Sequence, residues 1–120
     1  MPRPVHFELT ADDPARAIRF YESAFGWVIE KWDGPMPYWS IKTGDGPGID
    51  GGLGPRAPGF SGTTAVIAVD SVDDAVGKVS AAKGTITVPK MAIPAVGWVA
   101  YALDTEGNLF GMMQFDPAAA

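Results

Sequence analysis

The stretch His6-Phe7-Glu8-Leu9-Thr10-Ala11-Asp12-Asp13-Pro14-Ala15-Arg16-Ala17-Ile18-Arg19-Phe20-Tyr21 decides the fold. With Val5 ahead of it, Val5, Phe7 and Leu9 alternate with His6, Glu8 and Thr10, which predicts a strand with one apolar and one polar face. Asp12-Asp13-Pro14 then offers a helix N-cap and a proline suited to the first helical position, where its missing N–H costs nothing. Ala17, Phe20, Tyr21 and Ala24 recur at helical spacing, and Gly26 is expected to close the helix as its left-handed residue.

Beyond the helix, Trp27–Trp32 and Tyr38–Thr43 read as strands separated by the turn Asp33-Gly34-Pro35, and a weaker glycine-rich run follows from Ile49 to Leu53. Gly54-Pro55-Arg56-Ala57-Pro58-Gly59 is expected to exclude regular structure and to act as a linker. The second half repeats the plan. Thr64–Val69 is a strand, Ser71 with Asp74 a capping box, and Ala75, Val76, Val79 and Ala82 mark a helix ending at Gly84. Thr85–Val88, Trp98–Leu103 and Leu109–Phe115 complete the strands, with Asp104-Thr105-Glu106-Gly107-Asn108 as the last hairpin turn. Leu9 thus corresponds to Val69 and Gly26 to Gly84. The expected fold class is α+β, with two βαβββ modules in one domain over 1–120: module one over 4–53, a linker over 54–62 and module two over 63–116.

Composition narrows the function. Lys and Arg number 9 against 14 Asp and Glu, a net charge of −5, which argues against nucleic acid and favours neutral or cationic small molecules or another protein. An apolar fraction of 47% with 19% charged residues suits a chain that buries a core. With no cysteine, disulfides, thiolate nucleophiles and cysteine-ligated metals are excluded, and the single histidine, His6, excludes any motif needing two. No apolar run reaches membrane-span or signal-peptide length, so the expectation is a soluble, cytoplasmic protein with no membrane partner. Gly46-Pro47-Gly48-Ile49-Asp50-Gly51 matches a dinucleotide-binding string but opens no helix, since Gly54, Pro55 and Pro58 follow.

The strand histidine His6, Asp13, the pair Phe20-Tyr21, Phe25-Gly26-Trp27 after the helix and the hairpin Asp104-Thr105-Glu106-Gly107-Asn108 together resemble the vicinal oxygen chelate superfamily, which holds glyoxalase I, extradiol dioxygenases and bleomycin-resistance proteins. The resemblance implies that the two modules form a cupped mixed sheet. It also implies that a divalent metal would be held by residues on the first and fourth strands of each module, acting as a Lewis acid on neighbouring substrate oxygens. Carried over one by one, those positions fall on His6, near Gly51, on Thr64 and on Gly111, so only His6 keeps a strong ligating side chain.

The resemblance therefore implies a binding protein with a degenerate metal site and no cofactor, holding or sequestering a small organic molecule in the cavity of the cupped sheet. The alternative is a lyase, isomerase or dioxygenase with an unusual metal site at His6 and Glu8, or with no metal; a third reading is an interaction module. His6 and Glu8 are the catalytic candidates, Glu8 as a base whose pKa burial would raise. His6, Glu8, Thr64, Val99, Tyr101 and Gly111 are the expected ligand-binding residues, and Gln114 should face the opposite side from Gly111. Trp27, Trp32, Trp39 and Trp98 suit either a core or stacking on a flat or cationic ligand. Asp73-Asp74 reads as helix capping and Asp116–Ala120 as a frayed tail. A homodimer is expected, its modules paired within a chain or swapped between chains.

Overall fold

A computed structural model describes residues 2–120. The chain divides into two compact units, His6–Thr64 and Ala65–Ala120, the latter taking in the residues through Val5.

The first module runs β1 (Arg3–Ala11), α1 (Pro14–Phe25), β2 (Val28–Lys31), β3 (Trp39–Lys42) and β4 (Asp50–Pro55). Its strands lie in the order β2-β3-β4-β1, with β1 and β4 parallel and the other neighbours antiparallel. The alternation in β1 has the expected consequence. Phe7 and Leu9 pack with buried Ala11, Ile41 and Leu53, which turns His6 and Glu8 to the other face. Burying an apolar side chain such as Ile41 or Leu53 contributes about 1.5–3 kcal/mol, and α1 lays Ala17 on this layer. Asp13 caps the helix by accepting from the Arg16 N–H at 3.2 Å, and Gly26 ends it at φ 71°.

One expectation fails here. Gly54 and Pro55 are not linker but the end of β4, paired with Thr10 and Ala11. Proline is tolerated at a strand terminus, where its lack of an N–H removes little from the ladder. The Arg56 N–H continues the pairing to the Ala11 carbonyl at 3.0 Å before a tight turn joins Ala57 to Phe60.

The second module runs β5 (Thr63–Ala68), α2 (Val72–Ala81), β6 (Thr85–Ile93), β7 (Gly97–Leu103) and β8 (Leu109–Phe115). The order is β5-β8-β7-β6, with β5 and β8 parallel and the other pairs antiparallel, which repeats the first module's plan. Val72, Ala100, Ala102 and Met112 form its helix-side core. Ser71 caps α2 through the Asp74 N–H, and Gln114 accepts from the Val72 N–H at 3.0 Å, so Gln114 does face the helix side. Asp73 pairs with Lys90, which in turn sits 4.7 Å from the centre of the Trp98 ring.

Three further expectations are corrected. The helix expected to end at Gly84 stops at Ala81, and the left-handed residue beyond it is Lys83 at φ 77°. The Lys83 N–H bonds Ser80 and the Gly84 N–H bonds Val79, a Schellman closure. Gly84 is needed one place later for space, because a Cβ there would lie 2.6 Å from Val79 Cγ1. Strand β6 does not stop at Val88 but continues through Pro89 to Ile93, since it lies at the outer end of its module's strand order and its register shifts on both sides of Val88. Residues Asp116–Ala120 are docked rather than frayed. Trp98 Nε1 donates to Asp116, Ala95 bonds the Ala119 carbonyl, and Ala119 is buried.

Lysine in the left-handed region carries a steric cost that glycine lacks. Lys83→Gly should therefore stabilise the chain by about 0.5–1 kcal/mol, read as a higher urea midpoint at unchanged slope.

Candidate functional site

The polar face of β1 meets a residue to which the sequence reading assigned no role. Trp39 turns into the core, so alternation sends Tyr38 to the opposite face, where the Trp32 N–H to Tyr38 carbonyl bond of 2.8 Å closes the β2–β3 loop. The Tyr38 hydroxyl lies 3.0 Å from His6 Nε2 and donates to Glu8 Oε2 at 3.2 Å. The two candidate residues are thus brought together by a phenol. The signal was present in the sequence, since Trp39 and Ile41 alternate with Tyr38 and Ser40 just as Phe7 and Leu9 alternate with His6 and Glu8.

Register explains how a tyrosine fits there. Glu8 faces Gly52 across the parallel β1–β4 pair, and a Cβ on Gly52 would collide with the Tyr38 hydroxyl. The fourth-strand position on this face is therefore Gly52. Gly51, expected from the repeat, points to the core side, where a Cβ would lie 2.7 Å from the Phe7 ring. Trp32 packs edge-on against Tyr38 with ring centres 6.0 Å apart and lies over Gly34, whose Cβ would strike its indole. Trp27 and Trp39 belong to the core of the module instead.

Burial sets the electrostatics. It lowers the pKa of His6 below its ordinary 6.5, against the opposing pull of the Glu8 and Asp50 carboxylates. Burial also raises the Tyr38 phenol, with Glu8 adding to the rise, so Tyr38 keeps its proton across the neutral range. Asp50 is held by Thr43, whose N–H and hydroxyl both donate to it.

The second module brings Val99, Tyr101 and Gly111 together by the same device. Gly111 pairs with Tyr101 on β7 and with Val66 on β5. A Cβ at Gly111 would meet Tyr101 Cε1 at 3.1 Å and Val66 Cγ2 at 3.2 Å. Val66, Val99 and Met113 are buried together with Tyr101 packed on them. Thr64 is buried in β5, two residues before Val66 on the same side of the strand. In each module a tyrosine ring from the neighbouring chain segment thus stands over the fourth-strand glycine.

Among the described residues no three His, Asp or Glu side chains converge as metal donors. A groove of about 460 Å³ opens elsewhere on the first module, between α1 and the ends of β1 and β4, where Asp12 and Arg56 form an exposed ion pair. It contains none of the expected site residues. No helix among the described residues is long and apolar enough to cross a membrane.

The comparisons with known proteins bear on the fold and the family. A family model for the glyoxalase/bleomycin resistance protein/dioxygenase superfamily matches residues 3–112. The CFP32 proteins of Mycobacterium tuberculosis and Mycobacterium bovis, whose name carries a provisional glyoxylase assignment, are 31% identical over 113 residues. That match covers 92% of this chain but 43% of theirs, so the chain spans less than half the length of these relatives. Among solved structures, a superfamily member from Vibrio splendidus superposes with TM-score 0.69 at 22% identity, covering 97% of this chain and all of that one (100%). Methylmalonyl-CoA epimerase from Mycobacterium tuberculosis superposes with TM-score 0.72 at 13% identity, covering 95% and 88%. Likeness at such identities speaks for the fold alone. With the two βαβββ modules and the match over residues 3–112, the chain belongs to the glyoxalase/bleomycin resistance protein/dioxygenase superfamily.

Proposed function

We propose that this chain binds a small organic molecule at the His6–Tyr38–Glu8 face, and does so without a resident divalent metal. One observation carries the reading: the Tyr38 hydroxyl bonds both His6 and Glu8 and stands over Gly52, at the fourth-strand position where the superfamily pattern places a ligand. Zinc or nickel wants three or four protein donors, whereas among the described residues no three imidazoles or carboxylates converge, and His6 and Glu8 are already joined through a phenol. The residues present do not fit the metal. Aromatic surface beside a carboxylate, here Trp32 and Tyr38 beside Glu8, suits a flat or cationic guest.

A second reading, a metal-free lyase or isomerase, has the hydrogen-bonded chain of three titratable groups in its favour, because such chains can move a proton. Turnover of a 1,2-dicarbonyl thiol adduct that His6→Ala abolishes would favour it over simple binding.

The test is metal content after purification without chelators, followed by calorimetric titration with nickel, zinc, manganese and ferrous ions. We expect no stoichiometric metal and no tight binding. One-to-one binding lost in His6→Ala would overturn the proposal. A thermal-shift screen of aromatic and cationic small molecules should then find a saturable binder. At one hundred times its Kd such a molecule stabilises the chain by about 2.7 kcal/mol.

A further inference from the structure

We infer that His6 Nδ1 is a hydrogen-bond acceptor held ready for the ligand, and that the site takes small molecules carrying a polarised N–H or O–H. The inference rests on the metal-free reading above and deepens it. A carboxylate only accepts, so the single hydroxyl proton of Tyr38 goes to Glu8 Oε2. The phenol oxygen, 3.0 Å from His6 Nε2, is then left as an acceptor, and the proton in that bond belongs to Nε2. A neutral imidazole carries one ring proton, so Nδ1 is bare.

Nδ1 is also not sealed off. Tyr38 is the hydrogen-bond partner of His6, through Nε2. Among the described residues no buried side-chain nitrogen or oxygen lacks a partner, so the unbonded Nδ1 is not sealed from solvent. The groups acting on the ring are Glu8 on its own strand, Asp50 on β4 and Tyr38 ahead of β3. Burial outweighs the two carboxylates and keeps the ring neutral at pH 7.

The arrangement follows the logic of an oriented base, in which one ring nitrogen is fixed by a partner so that the other can serve. Tyr38, backed by Glu8, is the positioning residue. The superfamily pattern would give a lone pair of this histidine to a metal; here the geometry leaves one for a proton donor.

Because His6 is the one histidine in the chain, ¹⁵N-histidine labelling gives a single ring to observe. In the metal-free protein at pH 7.5 (a pH about one unit above the ordinary histidine pKa), we expect Nε2 protonated and Nδ1 unprotonated. In Tyr38→Phe the ring should relax towards a mixture of tautomers. A wild-type ring protonated on Nδ1, or a mixture that Tyr38→Phe leaves unchanged, overturns the inference; the wild-type spectrum decides it even if the variant fails to fold. Phenol and anisole, alike in shape but only the first with an O–H, supply the ligand arm. Phenol should shift Nδ1 saturably and anisole should not; equal responses, including none, overturn the assigned ligand class. The two readings fail separately. Nickel or zinc bound at this ring would sink the metal-free site, whereas an Nδ1–H tautomer in metal-free protein sinks this inference alone.

Discussion

Gly52→Ala expels the Tyr38 hydroxyl from its place between His6 and Glu8. The added Cβ would collide with the phenol oxygen and with the ring carbon bearing it, and β4 cannot retreat because it pairs with β1 on one side and β3 on the other. The tyrosine must therefore move. Forcing an extra methyl into a packed site typically costs about 1–3 kcal/mol, so the variant should still fold, with a lowered melting temperature. The larger effect falls on the site. A hydrogen bond to a charged group is worth about 1.5–3 kcal/mol, so losing the Tyr38 link to Glu8 should weaken a ligand that depends on this face by roughly tenfold to a hundredfold. The His6 ring signals should shift as they do in Tyr38→Phe. Gly54→Ala is the control on the same strand. Its Cβ would lie 3.8 Å from Tyr38 Cδ1, an ordinary contact, and it should leave both the ring signals and binding as they are. Unchanged His6 signals in a folded Gly52→Ala protein would mean that Tyr38 does not occupy this position.

How much of this was legible in the sequence differs between fold and site. Period-two alternation in Val5–Thr10, the Asp13-Pro14 helix start and the Gly26 stop are local signals, and local geometry reproduces them. The errors arise where neighbouring chain decides. Gly54 and Pro55 join β4 because Thr10 and Ala11 lie alongside. Asp116–Ala120 is held because Trp98 and Ala95 offer partners distant in sequence. The α2 end is set by packing, with Lys83 left-handed and Gly84 leaving the clearance that Val79 needs. At the site, His6 and Glu8 could be read from one strand, but their link runs through a side chain 30 residues away from Glu8. Alternation around Trp39 gives the face of Tyr38. Only the register Glu8↔Gly52 shows that the face has room for a phenol and that the relevant glycine is one residue beyond Gly51. The repeat between modules located the fourth strand, but a one-residue error in register inverts the face.

Gly111→Glu, which places a carboxylate at the final-strand position that the resemblance assigns to the metal, should destabilise the second module severely. Gly111 is buried between the Tyr101 ring and Val66, on the layer that holds Val99 and Met113. A carboxylate introduced there would sit among Val66, Val99, Met113 and the Tyr101 ring, and an uncompensated buried charge costs about 3–5 kcal/mol. For a chain of this size that is a fall in melting temperature of roughly 10–20 °C. Gly111→Ala separates charge from bulk. Its methyl, 3.1 Å from Tyr101 Cε1, asks the ring to move a few tenths of an ångström and should cost about 1 kcal/mol. The pH dependence follows from linkage. Burial raises the pKa of the introduced carboxyl above the roughly 4.3 it has in the unfolded chain, so between the two values the folded state binds more protons. The stability deficit relative to Gly111→Ala should therefore be full above the raised pKa and shrink as pH falls through it. Thermal melts of the two variants across pH measure this directly. If Gly111→Glu melts like wild type at neutral pH, or gains one-to-one binding of a divalent metal, the layer around Tyr101 is a yielding remnant of a metal site. A pH-dependent deficit instead means that loss of the ligand was followed by repacking, and that restoring one residue cannot restore the chemistry.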